Sequence, residues 1–148
     1  MKHSWDELDQ YRGEYFSGQW PSIIDMLLIT EHKFGQRPAF TVFNPERVTL
    51  TFTEVVDNVR RVGSALAEAG VERGDRVVIN GKNSPEWAIA YLATLWIGAV
   101  VVPLDNQMPC SRMESLSAFV EASYLFADKN IIEALDQTQA WYQGLKGC

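Results

Sequence analysis

The chain has 148 residues, of which 47% are hydrophobic and 22% charged, and this balance is typical of a globular domain with a core. The formal net charge of −6 argues against a nucleic-acid surface, because such a surface needs a basic stripe. With only two cysteines, Cys110 and Cys148, no disulfide framework is predicted and a reducing cytoplasm is the expected location.

The N-terminal residues 1–20 are aromatic and charged without a clean period, and we expect an irregular arm there. The first residues contain no apolar stretch after their lysine, which argues against a secretory signal. A helix is predicted from Pro21 and Ser22 up to Gly35. Two short apolar segments around the turn at Pro45 then predict a hairpin of strands 39–43 and 48–52.

A second helix is marked at both ends by local signals. Thr51 and Glu54 have the spacing of a capping box, in which a hydroxyl and a carboxylate satisfy each other's backbone amides. Gly70 follows the last periodic apolar residue, where a left-handed cap is expected. The valine-rich residues 76–80 after this helix predict a strand.

The longest apolar run, residues 87–104, has the minimum length of a membrane-spanning helix. Gly98 interrupts the run, three valines follow it, and Pro103 falls where such a helix would still continue. We therefore predict a buried helix that begins after the cap Ser84 and a buried strand over 100–104. This strand is apolar on both faces, as strands inside a parallel sheet are.

A helix over 112–121, a strand over 124–127 and a last helix from 131 complete the predicted order. Helices and strands alternate strictly from residue 53, which indicates right-handed crossovers on a parallel sheet. The predicted fold class is α/β: a partly parallel sheet with helices on both faces and an N-terminal hairpin. We expect one domain over 1–148, with the arm at 1–20 and the α/β core at 21–148.

Two sequence blocks, which begin with LTFTE at residue 50 and with KNSPEW at residue 82, resemble the adenylate-forming enzymes, the AMP-dependent acyl-CoA synthetases and ligases. Residues 50–79, LTFTEVVDNVRRVGSALAEAGVERGDRVVI, are similar to the opening block of that family. Residues 82–105, KNSPEWAIAYLATLWIGAVVVPLD, are similar to its second block, with an Asn-Ser-Pro-Glu helix cap and a Gly-Ala joint. The resemblance runs in order from about Pro38 to Asp128 and implies the N-terminal subdomain of the adenylate-forming fold.

The resemblance also implies a reaction for a larger parent protein. Members of this family use ATP to convert a carboxylic acid to an acyl-adenylate, and most pass the acyl group to a thiol. ATP, Mg²⁺ and CoA are thus the expected cofactors and substrates of the parent. The two blocks look more like those of fatty acyl-CoA synthetases than of peptide-synthetase domains.

The residues in these blocks have an architectural interpretation, so no catalytic, cofactor-binding or metal-binding residue is assigned. Gly98 lets a helix end and the backbone turn, and Pro103 ends the hydrogen-bonding ladder of a strand. Asp105 can hold the following loop; because it lies at a strand's carboxyl end, it is also the main candidate for a ligand contact. His3 and His32 lack partners at ligand spacing, so we expect no metal site.

A triphosphate needs convergent backbone amides and hydroxyls, and the family supplies them from a loop rich in serine, threonine and glycine that ends in a lysine. The local candidates are Gly81–Lys82 and the segment 144–147 with Lys146, and neither has the hydroxyl cluster. We therefore expect an inactive N-terminal piece of a larger adenylation domain, with no cofactor of its own. Its expected partners are the rest of the parent ligase and, through exposed apolar surface, a second copy.

Two other functions remain open from the sequence. A free-standing α/β binding module, such as a flavodoxin-like or response-regulator domain, would need paired carboxylates after its first parallel strand to hold Mg²⁺. The first parallel strand and the residues after it, RVVINGKNSPE at 76–86, contain no carboxylate before Glu86. A non-catalytic interaction domain that kept the scaffold and lost the chemistry is the third possibility.

Overall fold

The computed structural model describes residues 6–138 and 142–148. These residues form two compact units, one up to Asn58 and one from Val59 onward. The assignment of 1–148 to one domain, with an arm at 1–20 and a core at 21–148, stays a prediction.

The first unit holds a short 3₁₀ helix, a longer helix and the hairpin. Its elements are the 3₁₀ helix Asp6–Tyr11, helix α1 (Ile23–Phe34), the antiparallel strands β1 (Pro38–Val42) and β2 (Val48–Thr51), and the start of helix α2 (Phe52–Glu68). Ser22 and Asp25 form a capping box at the start of α1. Thr51 and Glu54 form the predicted one at the start of α2, where the Thr51 amide donates to the Glu54 carboxylate at 2.8 Å.

Part of the N-terminal segment folds around one arginine. The Arg12 guanidinium donates to the backbone carbonyls of Gly18 and Gln19 and pairs with the Asp9 carboxylate at 2.5 Å. Its plane lies over the ring of Phe16, which is buried. These contacts join Arg12 to residues within ten positions of it along the chain.

The second unit is a parallel sheet with helices on both faces, which confirms the predicted fold class. Its elements are β3 (Arg76–Asn80), α3 (Pro85–Trp96), β4 (Val100–Leu104), α4 (Cys110–Phe119), β5 (Ala122–Phe126) and α5 (Lys129–Thr138). The strands lie in the order β4-β3-β5, and both pairings are parallel. The chain thus begins in the middle of this sheet, moves to one side through α3, and crosses to the other side through α4.

The central strand β3 divides the core into two layers. Val77 and Ile79 point to one face, where they pack with residues that include Ala90 and Trp87 of α3. Val78 points to the opposite face and packs with residues of α4, β5 and α5, among them Met113, Leu125 and Ile131. Because a strand alternates its side chains, one buried strand organises both layers.

The prediction that β4 is buried inside the sheet is wrong for the described part of the chain. Among the described strands β3 is the central one, β4 lies beside it at the edge, and Val100 at the start of β4 is 48% exposed. Valine and leucine are as suitable for a sheet edge with one covered face as for an interior strand, so composition could not separate the two cases.

Helix α3 has the predicted limits and burial. The Ser84 hydroxyl accepts the Trp87 amide at 3.2 Å, and Pro85 occupies the first turn. Only Glu86 among its residues is exposed. In the described ranges 6–138 and 142–148, none of the helices combines the length and the apolar character of a bilayer span.

Gly98 has a φ of +76°, so the chain leaves α3 through a left-handed residue, as predicted. A Cβ at this position would lie 3.1 Å from Cγ of Arg73. Gly74 also has a left-handed φ, +88°, but a Cβ there would have nothing within 4 Å.

These two glycines form a matched pair for a stability test. We expect Gly74→Ala to lower the free energy of unfolding by about 1–2 kcal/mol, the cost of a left-handed alanine. Gly98→Ala should cost more, because the new Cβ also displaces the Arg73 side chain. Urea denaturation of both variants measures the difference, and equal losses would show that the contact with Arg73 is without consequence.

Candidate functional site

The candidate site lies between the carboxyl ends of β3 and β5. The chain leaves β3 toward α3 on one face of the sheet, and it leaves β5 toward α5 on the other face. Neighbouring connections that diverge in this way open a crevice, and such crevices are where open α/β sheets bind ligands. The topology therefore selects this edge before any side chain is considered.

A cleft of about 140 Å³ is present at that point. Its walls combine charged, polar and aromatic side chains: Lys82, Ser84, Glu86, Trp87, Phe126 and Asp128. The Trp87 ring stacks on Tyr91, with the centroids 5.5 Å apart and the planes at 28°. The aromatic wall is therefore held in place by α3.

Asp128 reaches across the cleft to the loop after β3. Its Oδ2 accepts the backbone N–H of Lys82 at 3.3 Å. A Cβ on Gly81 would lie 3.0 Å from Oδ1 of the same carboxylate, so the close approach requires glycine or a small shift. The Asp128 carboxylate thus accepts the hydrogen bond that the loop amide could otherwise donate to a bound anion. No sequence pattern pointed to Asp128, although it lies two residues after the end of β5, as Asp105 lies directly after the end of β4.

The cleft also carries one ammonium group, one further carboxylate and one hydroxyl. Lys82 is exposed, and Glu86 lies in the first turn of α3, where a carboxylate complements the positive end of the helix dipole. Ser84 uses its oxygen as the acceptor for the Trp87 amide. One ammonium group beside two carboxylates offers no set of donors that converge on an anion.

Asp105 lies on the other side of β3, where it organises the loop after β4. Its Oδ1 accepts the Gln107 amide at 2.8 Å and its carbonyl accepts the Met108 amide at 3.0 Å. The buried side chain of Asn80 donates from Nδ2 to the same carbonyl at 2.6 Å. Asn80 therefore ties the end of β3 to this turn. Its Oδ1 is buried and finds no donor within the described part of the chain.

The structure places the second phosphate candidate, Lys146, away from the cleft. Its ammonium group pairs with Asp75 at 2.8 Å and donates to the carbonyl of Gly70 at 2.6 Å. Asp75 directly precedes β3, so this ion pair lies at the amino end of the sheet. The structure therefore does not bring Lys82 and Lys146 together.

One of the two histidines, His32, lies within the described residues. His32 contacts the rings of Tyr11 and Tyr15, and His3 lies outside the described residues. Within residues 6–138 and 142–148, no three His, Cys, Asp or Glu side chains are close enough to hold a metal ion.

The assignment of Asp105 to architecture stays a prediction with a direct test. Asp105→Ala removes the acceptor of the Gln107 amide and should lower the free energy of unfolding by about 1 kcal/mol. Asp105→Asn keeps a side-chain oxygen in the same place and should retain most of that stability. Urea denaturation compares the two variants. If both lose the same amount, the negative charge itself has a role that the turn does not explain.

Comparison with known proteins places residues 30–144 in a family described as AMP-binding enzyme. An L-proline–L-prolyl-carrier protein ligase from Streptomyces coelicolor is 34% identical over 112 residues, which are 76% of this chain and 20% of that protein. Long chain acyl-CoA synthetase 3 from Arabidopsis thaliana is 35% identical over 88 residues, 60% of this chain and 13% of that protein. The chain thus spans a fifth or less of these relatives.

Among solved structures, the N-terminal subdomain of NpsA from Klebsiella oxytoca is 27% identical, with a TM-score of 0.65. The match covers 73% of this chain and 28% of that one. The parallel sheet flanked by helices and this likeness to an N-terminal subdomain agree with the predicted fold class. The chain belongs to the AMP-binding enzyme family of adenylate-forming ligases.

Proposed function

We propose that these 148 residues form the N-terminal scaffold of an AMP-forming carboxylate–CoA ligase. In that reaction ATP and a carboxylic acid give an acyl-adenylate and pyrophosphate, and the acyl group then moves to the thiol of CoA with release of AMP. The observation that carries the proposal is the family match over residues 30–144, which include the whole described sheet.

The chain's own part in this reaction is structural. The loop after β3 directs its Lys82 amide to Asp128, and the cleft beside it carries more negative than positive side chains. Those features do not suit a triphosphate, so ATP and Mg²⁺ are bound by other parts of the ligase. These 148 residues alone are inactive and hold no cofactor.

The acid is proposed to be a fatty acid. The long chain acyl-CoA synthetase from Arabidopsis thaliana supports this assignment through its 35% identity over 88 residues of this chain. A second candidate acceptor is the thiol of a carrier protein, since the ligase from Streptomyces coelicolor, named for a prolyl-carrier protein, matches more of this chain.

The proposed partner is the remainder of the parent ligase, and the proposed location is the cytoplasm. Cys110 and Cys148 are both free and exposed, which suits a reducing compartment. In the first unit, Trp20, Ile23 and Met26 are exposed by 57%, 54% and 47%. This apolar surface supports the further proposal that the 148 residues associate with a second copy when alone.

The scaffold role predicts very weak nucleotide binding. Calorimetric titration of the 148-residue chain with Mg-ATP should give no dissociation constant below the millimolar range, since no donors converge on a phosphate in the cleft. Lys82→Ala should leave the titration unchanged. Binding in the micromolar range that Lys82→Ala abolishes would show that the cleft is a nucleotide site and would contradict the scaffold role.

The ligase activity is tested on the complete protein. With ATP and a fatty acid it should release pyrophosphate, and thioester should form when CoA is added. Proline with a phosphopantetheine-bearing carrier protein is the matched comparison. If thioester forms only on the carrier protein, the acceptor is the carrier thiol and not CoA. If no acid leads to release of pyrophosphate, the ligase assignment is contradicted.

A further inference from the structure

The C-terminal segment, residues 142–148, pairs with the outer edge of β5. The Lys146 amide donates to the carbonyl of Ser123 at 2.7 Å, and the Leu125 amide donates to the carbonyl of Gly147 at 3.2 Å. The two chains run parallel at this bridge. A Cβ on Gly147 would lie 2.7 Å from the ring of Tyr124, so the pairing depends on glycine at that position.

One side chain holds this segment at the opposite end of the sheet from the cleft. The Lys146 ammonium group binds the Asp75 carboxylate at 2.8 Å and the Gly70 carbonyl at 2.6 Å. The Asp75 pKa is lowered because its carboxylate accepts the Glu72 amide and faces Lys146. The contact joins residues 71 positions apart, and charge-assisted hydrogen bonds of this kind are about twice as strong as neutral ones.

The strand under the segment is suited to pair with copies of itself. Residues 122–127, ASYLFA, contain no charge, no proline and no glycine, and Tyr124, Leu125 and Phe126 favour extended structure. Six-residue segments of this composition are the ones that associate when a sheet edge exposes them.

The sheet protects its two edges differently. On β4 the Val100 amide donates to the carbonyl of Asp75 and so points toward β3. Because the backbone groups of successive strand residues point to opposite sides, the nitrogen of Pro103 points toward the outer edge. That nitrogen has no hydrogen to donate, so a further strand cannot pair fully there. On β5 the same alternation leaves Leu125 and Ala127 with outward amides, and among the described residues the C-terminal segment covers the first of them.

We propose that Lys146 is a latch that keeps residues 142–148 on β5, and that opening the latch exposes this edge to β5 of a second copy. The same edge then meets itself, which gives a symmetric dimer through strand addition. The proposal does not depend on the ligase assignment, because it rests on contacts within this chain.

The test compares Lys146→Met with the wild-type chain. Loss of the ammonium contacts should speed hydrogen exchange at the Leu125 amide by about tenfold or more. Sedimentation at tens of micromolar should show more association than in the wild type, with an infrared band of intermolecular β-structure. Lys129→Met is the matched control, since Lys129 pairs with Glu133 on the exposed surface of α5 and should change neither measurement.

A second variant tests the edge itself. Ala127→Pro removes the outward amide of residue 127, as Pro103 does on β4, and places the proline ring after the last residue of the strand. The combined variant Lys146→Met with Ala127→Pro should exchange the Leu125 amide as fast as Lys146→Met while its association returns to the wild-type level.

Three results would overturn the proposal. Unchanged Leu125 exchange in Lys146→Met would show that Lys146 is no latch, and fast exchange without added association would remove the second copy as partner. For a Lys146→Met chain that fails to fold, the wild type decides. Under mild denaturant, hydrogen exchange at its Leu125 amide must need a lower free energy of opening than exchange at the Val78 amide of β3. If both amides exchange only by global unfolding, the latch is contradicted.

Discussion

Burial of β3 on both faces and both sides is the constraint on which the second unit depends. Val77, Val78 and Ile79 are each at most 1% exposed, and every backbone group of a strand in this position needs a partner in a neighbouring strand. β4 pairs with β3 from Arg76 to Asn80, and β5 pairs with it from Arg76 to Ile79. Helices then have to cover both layers of side chains, since neither layer can face water at an acceptable cost.

The same constraint places the candidate site. With β3 in the centre, the chain leaves β3 toward α3 on one face and leaves β5 toward α5 on the other, and the crevice opens between these connections. The side chains there then decide what the crevice does. Asp128 turns its carboxylate to the loop after β3, so a position that binds anions in other α/β sheets is closed from within the chain.

Local sequence patterns predicted the limits of an element accurately where the contacts that set those limits join residues close in sequence. Strands β3 and β4 and the start of α3 coincide with their predicted residues. The hairpin strands and β5 are each shifted by one or two residues, since nothing in a strand end is as specific as a cap. Helix α4 begins at Cys110 rather than at 112, because Pro109 precedes it and starts the helix without a side-chain cap.

The amino-acid sequence by itself determined the element order, the helix limits at Ser84 and Gly98, and the family blocks, because caps, glycine angles and periodicity involve residues within a few positions of one another. Only the tertiary structure decided that β4 is an edge strand, that Asp128 accepts the Lys82 amide and that Lys146 joins Asp75. Those contacts link residues 46 and 71 positions apart in the latter two cases. Their partners are selected by how the layers pack on β3, which no local pattern encodes.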